Sequence, residues 1–341
     1  MQVAFINPPE LSLDFTDAAN IADLCIISGT IRRIILGIIS GIAVLPNRLL
    51  VKLDHANDYF KTYQPYLGIA RVTIEEASGI QTPKKSGAMG LISKIVEDVP
   101  DCYCKVRIGT DEEWRTSTKN NDKGPKWNES HDFLVADFEQ MIFLDVQDDD
   151  FGADDDIGVG SVSVKDVLLN GGTKEVALTY KGEHTGACVK VRVEFLRFVS
   201  EPQALFVQQN QDEKQFCGLA TVLIASVLGL QGQRNELQPS VKVSWGKKKF
   251  RTAVKTYVPG TDIFNPSFDQ AFVIPITRDL INNPAPFKFS LLNKEVEVGS
   301  VEIPYADVQY QPGLNVADSY DVGEGVKIRA AICLKGLQLT E

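Results

Sequence analysis

The nine residues Asp148-Asp-Asp-Phe-Gly-Ala-Asp-Asp-Asp156 carry six carboxylates. Like charges packed this closely repel, and a cation among them relieves the repulsion. Their oxygens suit calcium, a hard ion that takes six to eight oxygen ligands in adaptable geometry. The spacing is not that of an EF-hand loop, because the glycine falls at Gly152, one position early, and no glutamate closes the ring. A solvated acidic turn is the rival reading. The alternating strand before the run and the Ile157-Gly158 pair after it favour a metal.

A second charged motif, Lys247-Lys-Lys-Phe-Arg251, has the opposite sign. Basic side chains near an anionic leaflet contribute about 1 kcal/mol each, so Lys247, Lys248, Lys249 and Arg251 are candidate contacts for anionic lipid. A solvated hairpin is the alternative, since strand alternation splits these residues between two faces. Phe151, in the acidic loop, is a candidate membrane contact. So are Met89, Leu91 and Ile92 between Gln81 and Pro100, although a short helix packed on its own domain accounts for those three equally well. Asp148-x-Asp150 also fits the metal motif of glycosyltransferases, and acidic clusters hold metals in nucleases and phosphatases. No nucleotide-binding glycine loop, Gly-x-Ser-x-Gly or His-Glu-x-x-His accompanies it. His55, His131 and His184 read as loop residues without a nucleophile. The chain reads as a binding protein, not an enzyme.

The elements that must hold these motifs come in two copies. Leu67-Gly-Ile-Ala-Arg-Val-Thr-Ile74 aligns without gaps with Cys217-Gly-Leu-Ala-Thr-Val-Leu-Ile224. Arg115-Thr-Ser-Thr-Lys119 then matches Arg251-Thr-Ala-Val-Lys255, Gly160-Ser-Val162 matches Gly299-Ser-Val301, and Val189-Lys-Val-Arg192 matches Val326-Lys-Ile-Arg329. Echoes kept in one order mean one domain repeated. Ala70, Val72 and Ile74 alternate with Arg71, Thr73 and Glu75, and Val241, Val243 and Trp245 with Lys242 and Ser244. Short alternating strands broken by Gly, Pro and Asn predict antiparallel β-sandwiches. The first copy covers 64–199 and the second 216–341, with a polar, Gln-rich linker over 200–215 that is expected to be mobile.

Residues 1–63 belong to neither copy. They read as a strand from Val3 to Ile6, a strand from Leu11 to Phe15, a helix and a strand from Arg48 to Leu53, too little to close a domain. The run after Met1 reads as a strand without a basic n-region, so no signal peptide is expected in it. Ile26 to Leu45 reads as an amphipathic or groove-lining helix rather than a membrane span. Arg32 and Arg33 each cost about 2.5–3.5 kcal/mol at a bilayer centre, and the uncharged run after them is twelve residues against the roughly 20 needed to cross. The six scattered cysteines read as reduced thiols. A formal charge of −10 argues against nucleic-acid binding.

Three motifs carry a resemblance. Asp148-x-Asp150 after a strand, then the following aspartates and Ile157-Gly158, resembles the third calcium loop of C2 domains. Asp101-Cys-Tyr-Cys-Lys-Val-Arg-Ile-Gly109 is similar to the family's Asp-Pro-Tyr-Val-Lys-Val strand. Pro125-Lys-Trp-Asn-Glu129 is similar to its Asn-Pro-x-Trp-Asn-Glu turn, with Gly124 in the place of Asn. The resemblance implies calcium ligands at Asp101, Asp148, Asp150 and one of Asp154, Asp155 and Asp156, with Asp155 the best spaced. The family's first-loop aspartate falls at Ile95, and Asp98 or Glu97 stands in for it. The second copy departs from the pattern, with Gln238 for Asp101 and Leu291 to Gly299 in place of the Asp-rich loop, which implies no calcium there. Its lysines resemble the basic concave face of synaptotagmin-like second C2 domains.

Phe5-Ile-Asn-Pro-Pro-Glu-Leu-Ser-Leu-Asp-Phe-Thr16, followed by Val44-Leu-Pro-Asn-Arg-Leu-Leu-Val51, looks like the end of the SMP lipid-transfer domain of extended synaptotagmins, plant synaptotagmins and tricalbins. By that resemblance the chain is mainly β, two tandem C2-type sandwiches after a partial α/β SMP remnant. Apolar surface is then expected where the rest of that domain would lie. The implied function is calcium-dependent binding of anionic phospholipid by a tether on the cytoplasmic face of membranes, at endoplasmic reticulum–plasma membrane contacts, in connection with lipid transfer. A longer chain would be expected to form a homodimer through the SMP domain. The alternative is a calcium-independent scaffold for protein–protein interaction.

Overall fold

The computed structural model describes residues 2–12, 21–51, 65–81, 99–109, 113–150, 154–205 and 216–339. Asp98, Phe151, His55 and residues 89–92 lie outside them. Contacts divide the chain into two compact units, Met1–Leu53 with Tyr66–Leu196 and Asp54–Pro65 with Arg197–Glu341.

The first unit opens with β1 (Gln2–Val3), helix α1 (Ile21–Ala43) and β2 (Leu49–Leu50). It continues through β3 (Gly68–Ser78), β4 (Cys102–Ile108), β5 (Trp114–Arg115), β6 (Lys126–Val135), β7 (Met141–Asp148), β8 (Asp155–Ser163), β9 (Thr173–Tyr180) and β10 (Glu183–Val199). One sheet runs β6-β3-β10-β9 and the other β5-β4-β7-β8, joined where Val159 of β8 bridges Thr179 of β9. The predicted alternation holds: Ile142, Leu144 and Val146 turn inward against Cys104, Val106, Val72, Ile74, Val189 and Val191, all buried. Each such aliphatic side chain contributes about 1.5–3 kcal/mol. Thr73 was assigned to the wet face yet is buried, because its hydroxyl pairs with Ser130 Oγ at 2.8 Å.

The second unit repeats this plan with β11 (Phe216–Leu228), β12 (Pro239–Trp245), β13 (Lys248–Arg251), β14 (Ser267–Thr277), β15 (Phe287–Asn293), β16 (Val296–Ile303), β17 (Asn315–Gly323) and β18 (Val326–Leu339). Its sheets are β14-β11-β18-β17 and β13-β12-β15-β16, the first unit's order strand for strand. Trp245 anchors the core, stacked on Phe287 at 4.6 Å and donating its indole N–H to the Ala285 carbonyl at 2.9 Å.

The sequence echoes have physical causes. Thr116 and Thr252 are both buried, and each hydroxyl accepts a main-chain N–H from the neighbouring strand, Cys104 at 3.0 Å and Val241 at 2.9 Å. A Cβ on Gly160 would lie 3.0 Å from the Ala177 carbonyl oxygen, and one on Gly299 would lie 1.9 Å from that of Val322. In both units a backbone passes where a side chain has no room.

Three expectations need correction. His131 and His184 lie in β6 and β10 rather than loops, and His131 stacks on Trp114. Pro202–Leu205, placed in the linker, form a 3-10 turn whose Leu205 is buried in the second core. At the N-terminus, β1 and β2 pair as a two-residue ladder, shorter than expected, and residues 11 and 12 form no strand. Asn7 fastens this segment to the first sandwich: its side chain donates to the Glu139 carbonyl at 3.0 Å and accepts the Met141 N–H at 2.7 Å. Phe5, Ile34, Ile38 and Ile42 are exposed here. Among the described residues, no helix is long and apolar enough to cross a membrane, and no disulfide joins the cysteines.

Candidate functional site

The acidic run is the end of a hairpin. β7 stops at Asp148 and β8 starts at Asp155, and these two are register partners, as are Asp148 and Cys102 of β4. Partners across antiparallel strands share a face, so Asp148 and Asp155 continue the inward row of Leu144 and Val146 to the rim of the core. Asp101 stands one residue before β4. Its N–H donates to Asp148 Oδ1 at 2.7 Å, and its own Oδ1 accepts the Asn121 N–H at 2.7 Å. Asp150 follows two residues past Asp148, half-buried.

The remaining aspartates of the run point elsewhere. The Tyr103 hydroxyl reaches Asp154 Oδ2 at 2.5 Å, and Gln147 Nε2 donates to Asp156 Oδ1 at 3.2 Å, both on the opposite face from Asp155. Asp149 accepts from Thr118 at 2.8 Å and Arg115 at 2.6 Å, and those bonds hold it below the usual carboxylate range. Arg115, 3.5 Å from the Tyr103 ring centroid, was not singled out from the sequence, although the Arg-Thr echo marked its place. Of the three alternatives, Asp155 therefore shares the face of Asp148, while Asp154 and Asp156 do not.

The rim is strongly negative. Burial, then Asp148, Asp122 and Asp101, push the Cys102 thiol up to about 12. The oxygens at this rim are hard carboxylate donors, which fit calcium. Among the described residues, no three of these side chains converge tightly enough to grip an ion as they stand. One oxygen of Asp148 already accepts the Asp101 N–H.

The second unit keeps the frame and discards the charge. The Gln238 N–H donates to Asn293 Oδ1 at 2.7 Å, the counterpart of Asp101 to Asp148. Asn293 pairs directly with Val296, leaving a two-residue turn, Lys294-Glu295, where the first unit has the acidic loop. This isosteric replacement was missed from the sequence because the loops differ in length.

The basic motif divides as alternation requires. Lys249 and Arg251 face outward opposite Ser244 and Lys242, and Lys288 lies in the next strand on the same face. Phe250 turns inward onto Phe272, while Lys247, Lys248 and Lys249 are exposed. Arg251 is not available in the same way. It holds Glu295 through two contacts of 3.0 Å, the Lys294 carbonyl at 2.8 Å and Ser240 Oγ at 2.9 Å.

The C2 domain family matches residues 68–178 and 218–320. Extended synaptotagmin-3 of Homo sapiens is 28% identical over 205 residues, 60% of this chain and 22% of that protein. Extended synaptotagmin-1 of Homo sapiens is 28% identical over 214 residues, 59% of this chain and 18% of that protein. This chain thus spans under a quarter of the length of either relative. The solved tandem C2 domains of extended synaptotagmin 2, calcium bound, align with a TM-score of 0.62 at 18% identity, covering 82% of this chain and all of that one. A solved chain that holds the SMP domain of the same protein ahead of both C2 domains aligns with a TM-score of 0.60 at 21% identity, covering 99% of this chain and 72% of that one. These structural likenesses show the fold.

Proposed function

We propose, for a chain that belongs to the C2 domain family, that its first sandwich binds anionic phospholipid membrane in response to calcium and that the chain acts as a tether, not as an enzyme. The observation that carries the reading is the register of Asp148 beside Asp155 with Asp101 bonded to Asp148. Asp101, Asp148, Asp150 and Asp155 would hold the ion, and Asp98 is the candidate for the first loop. Bound calcium supplies positive charge that cancels the negative rim, and lipid phosphate oxygens complete its shell. Without metal the same carboxylates repel an anionic leaflet, so the sign of the local field changes while the fold need not. The calcium-bound state of a solved tandem with the same fold supports this reading.

The second sandwich has a neutral rim and binds without calcium, through Lys247, Lys248 and Lys249. Similarity to extended synaptotagmins supports a place at endoplasmic reticulum–plasma membrane contacts and residues 1–63 as SMP-related, with lipid transfer and SMP dimerisation as activities of a longer chain. Flotation with anionic vesicles in calcium and in chelator tests the switch. Equal binding in both would leave the calcium-independent scaffold as the better reading.

A further inference from the structure

A cleft of about 690 Å³ lies within the first unit, between helix α1 and the end of β4. Among the described residues its charged walls are Arg32, Arg33 and Arg107, with no carboxylate among them. In a chain of net charge −10 this is an unusual neighbourhood. None of the three guanidiniums forms an ion pair with a described residue; Arg107 rests on the Phe143 ring at 5.2 Å.

The fold builds this cleft in a definite way. A helical period of 3.6 puts Arg32 with Leu36 and Ser40, and Arg33 with Gly37 and Gly41, on one side of α1. A Cβ added to Gly37 or Gly41 would meet nothing within 4 Å, so these positions open the wall rather than tighten packing. The opposite wall is fixed. Gly109 has φ +57, and a Cβ on it would stand 2.8 Å from Gln140 Nε2 and 3.3 Å from the Leu45 carbonyl. Leu45 N–H donates to the Phe5 carbonyl at 2.9 Å, Asn47 Nδ2 donates to the Ser40 carbonyl at 3.0 Å, and Asn7 ties the segment to β7. Three like charges around one cleft, with no carboxylate among its described lining residues, make a receptor for a compact polyanion. Guanidinium forks match phosphate oxygens bidentately.

We infer that the cleft bounded by Arg32, Arg33 and Arg107 binds a phosphate monoester, either free or as a membrane headgroup. It is independent of the acidic rim and requires no calcium.

The test uses the full chain in chelator, with Lys247, Lys248 and Lys249 changed to Gln so that the second unit's lysines do not contribute. Titration with inorganic phosphate and with glycerol 3-phosphate, followed by NMR, covers the free ligand. Flotation with phosphatidylcholine vesicles containing phosphatidic acid covers the headgroup. Arg33→Gln and Arg107→Gln should each weaken binding about tenfold, the size of one charge-assisted hydrogen bond. Gly37→Leu keeps every charge and favours the helix, yet should weaken binding by filling the cleft; its helicity and melting temperature confirm folding. Dependence on these residues in the soluble arm alone assigns free phosphate, and in the vesicle arm a headgroup. The inference is overturned if neither probe binds, or if the arginine variants bind as well as the parent. It is also overturned if the arginine variants lose binding while Gly37→Leu keeps it, since diffuse charge and not the cleft would then be responsible.

Discussion

Changing Asp148 to Asn isolates charge from shape. Asp148 is 4% exposed, and one of its oxygens accepts the Asp101 N–H at 2.7 Å. An asparagine keeps that acceptor, and the second unit already carries this arrangement, with Asn293 accepting the Gln238 N–H at the same 2.7 Å. The frame therefore tolerates the exchange. A carboxylate about 2.4 Å from a divalent cation attracts it by about 3.5 kcal/mol even with the dielectric of bulk water. Losing that attraction weakens calcium roughly 300-fold. Without metal the buried carboxylate faces Asp101 and Asp155, and neutralising it relieves repulsion. Asp148→Asn should abolish calcium-stimulated flotation with anionic vesicles while the melting temperature in chelator stays equal or rises. A variant that keeps the full calcium response would refute the ligand assignment. A variant that loses both calcium response and stability in chelator would show that Asp148 is structural.

Other expectations follow from particular contacts. Gly299→Ala should destabilise the second unit by about 1–3 kcal/mol, because the new methyl meets the Val322 carbonyl and strands must part; an unchanged denaturation midpoint would contradict the close approach. Changing Lys247, Lys248 and Lys249 to Gln should cost about 1 kcal/mol each in calcium-independent binding to anionic vesicles, whereas Arg251→Gln should lower the melting temperature and leave binding nearly intact; the reverse pattern would put the lipid contact on Arg251. Burial, with Asp156 nearby, raises the carboxyl of Asp145, whose Oδ1 is buried without a partner. The folded chain then holds that proton more tightly than the unfolded chain, so stability gains as pH falls through the raised value towards 3.8 and is reduced above it. Asp145→Asn should raise the melting temperature in chelator at neutral pH and flatten that part of the pH profile; an unchanged profile would count against the burial argument.

Much of this was legible in the residues. Period-2 alternation placed Val72, Val146 and Val243 in the cores because a strand with one wet face leaves no other choice. The ordered echoes announced a repeat, since a repeated fold repeats its tight spots: the buried threonine acceptors and the glycines under a passing carbonyl. What escaped were matters of direction. Spacing favoured Asp155 over Asp154 and Asp156 only by resemblance, and the register of β7 against β8 adds the physical ground, which is that Asp155 alone of the three shares the face of Asp148. Lys-Lys-Lys-Phe-Arg reads as one patch until Glu295, 44 positions away, takes the arginine. His131 looked like a loop residue because His-Asp between polar neighbours carries no strand signal, yet Trp114 and Phe133 give it partners.

The pair Asp148 and Asn293 shows how one backbone design serves two kinds of surface. In each unit a strand end must satisfy the N–H of the residue before the neighbouring strand, and a short side-chain oxygen does so at the same distance. Either residue type meets that demand, so the architecture is indifferent to charge here. On the proposed function the charge matters: a carboxylate beside a second carboxylate would make a rim that repels anionic lipid until a cation arrives, while an amide above a two-residue turn would set no such threshold. The same independence explains why Arg115 and Arg251 both bind an acidic side chain of the adjoining loop, Asp149 in one unit and Glu295 in the other. The arginine sets the loop's position in both, and the first unit places its further aspartates on a frame already secured.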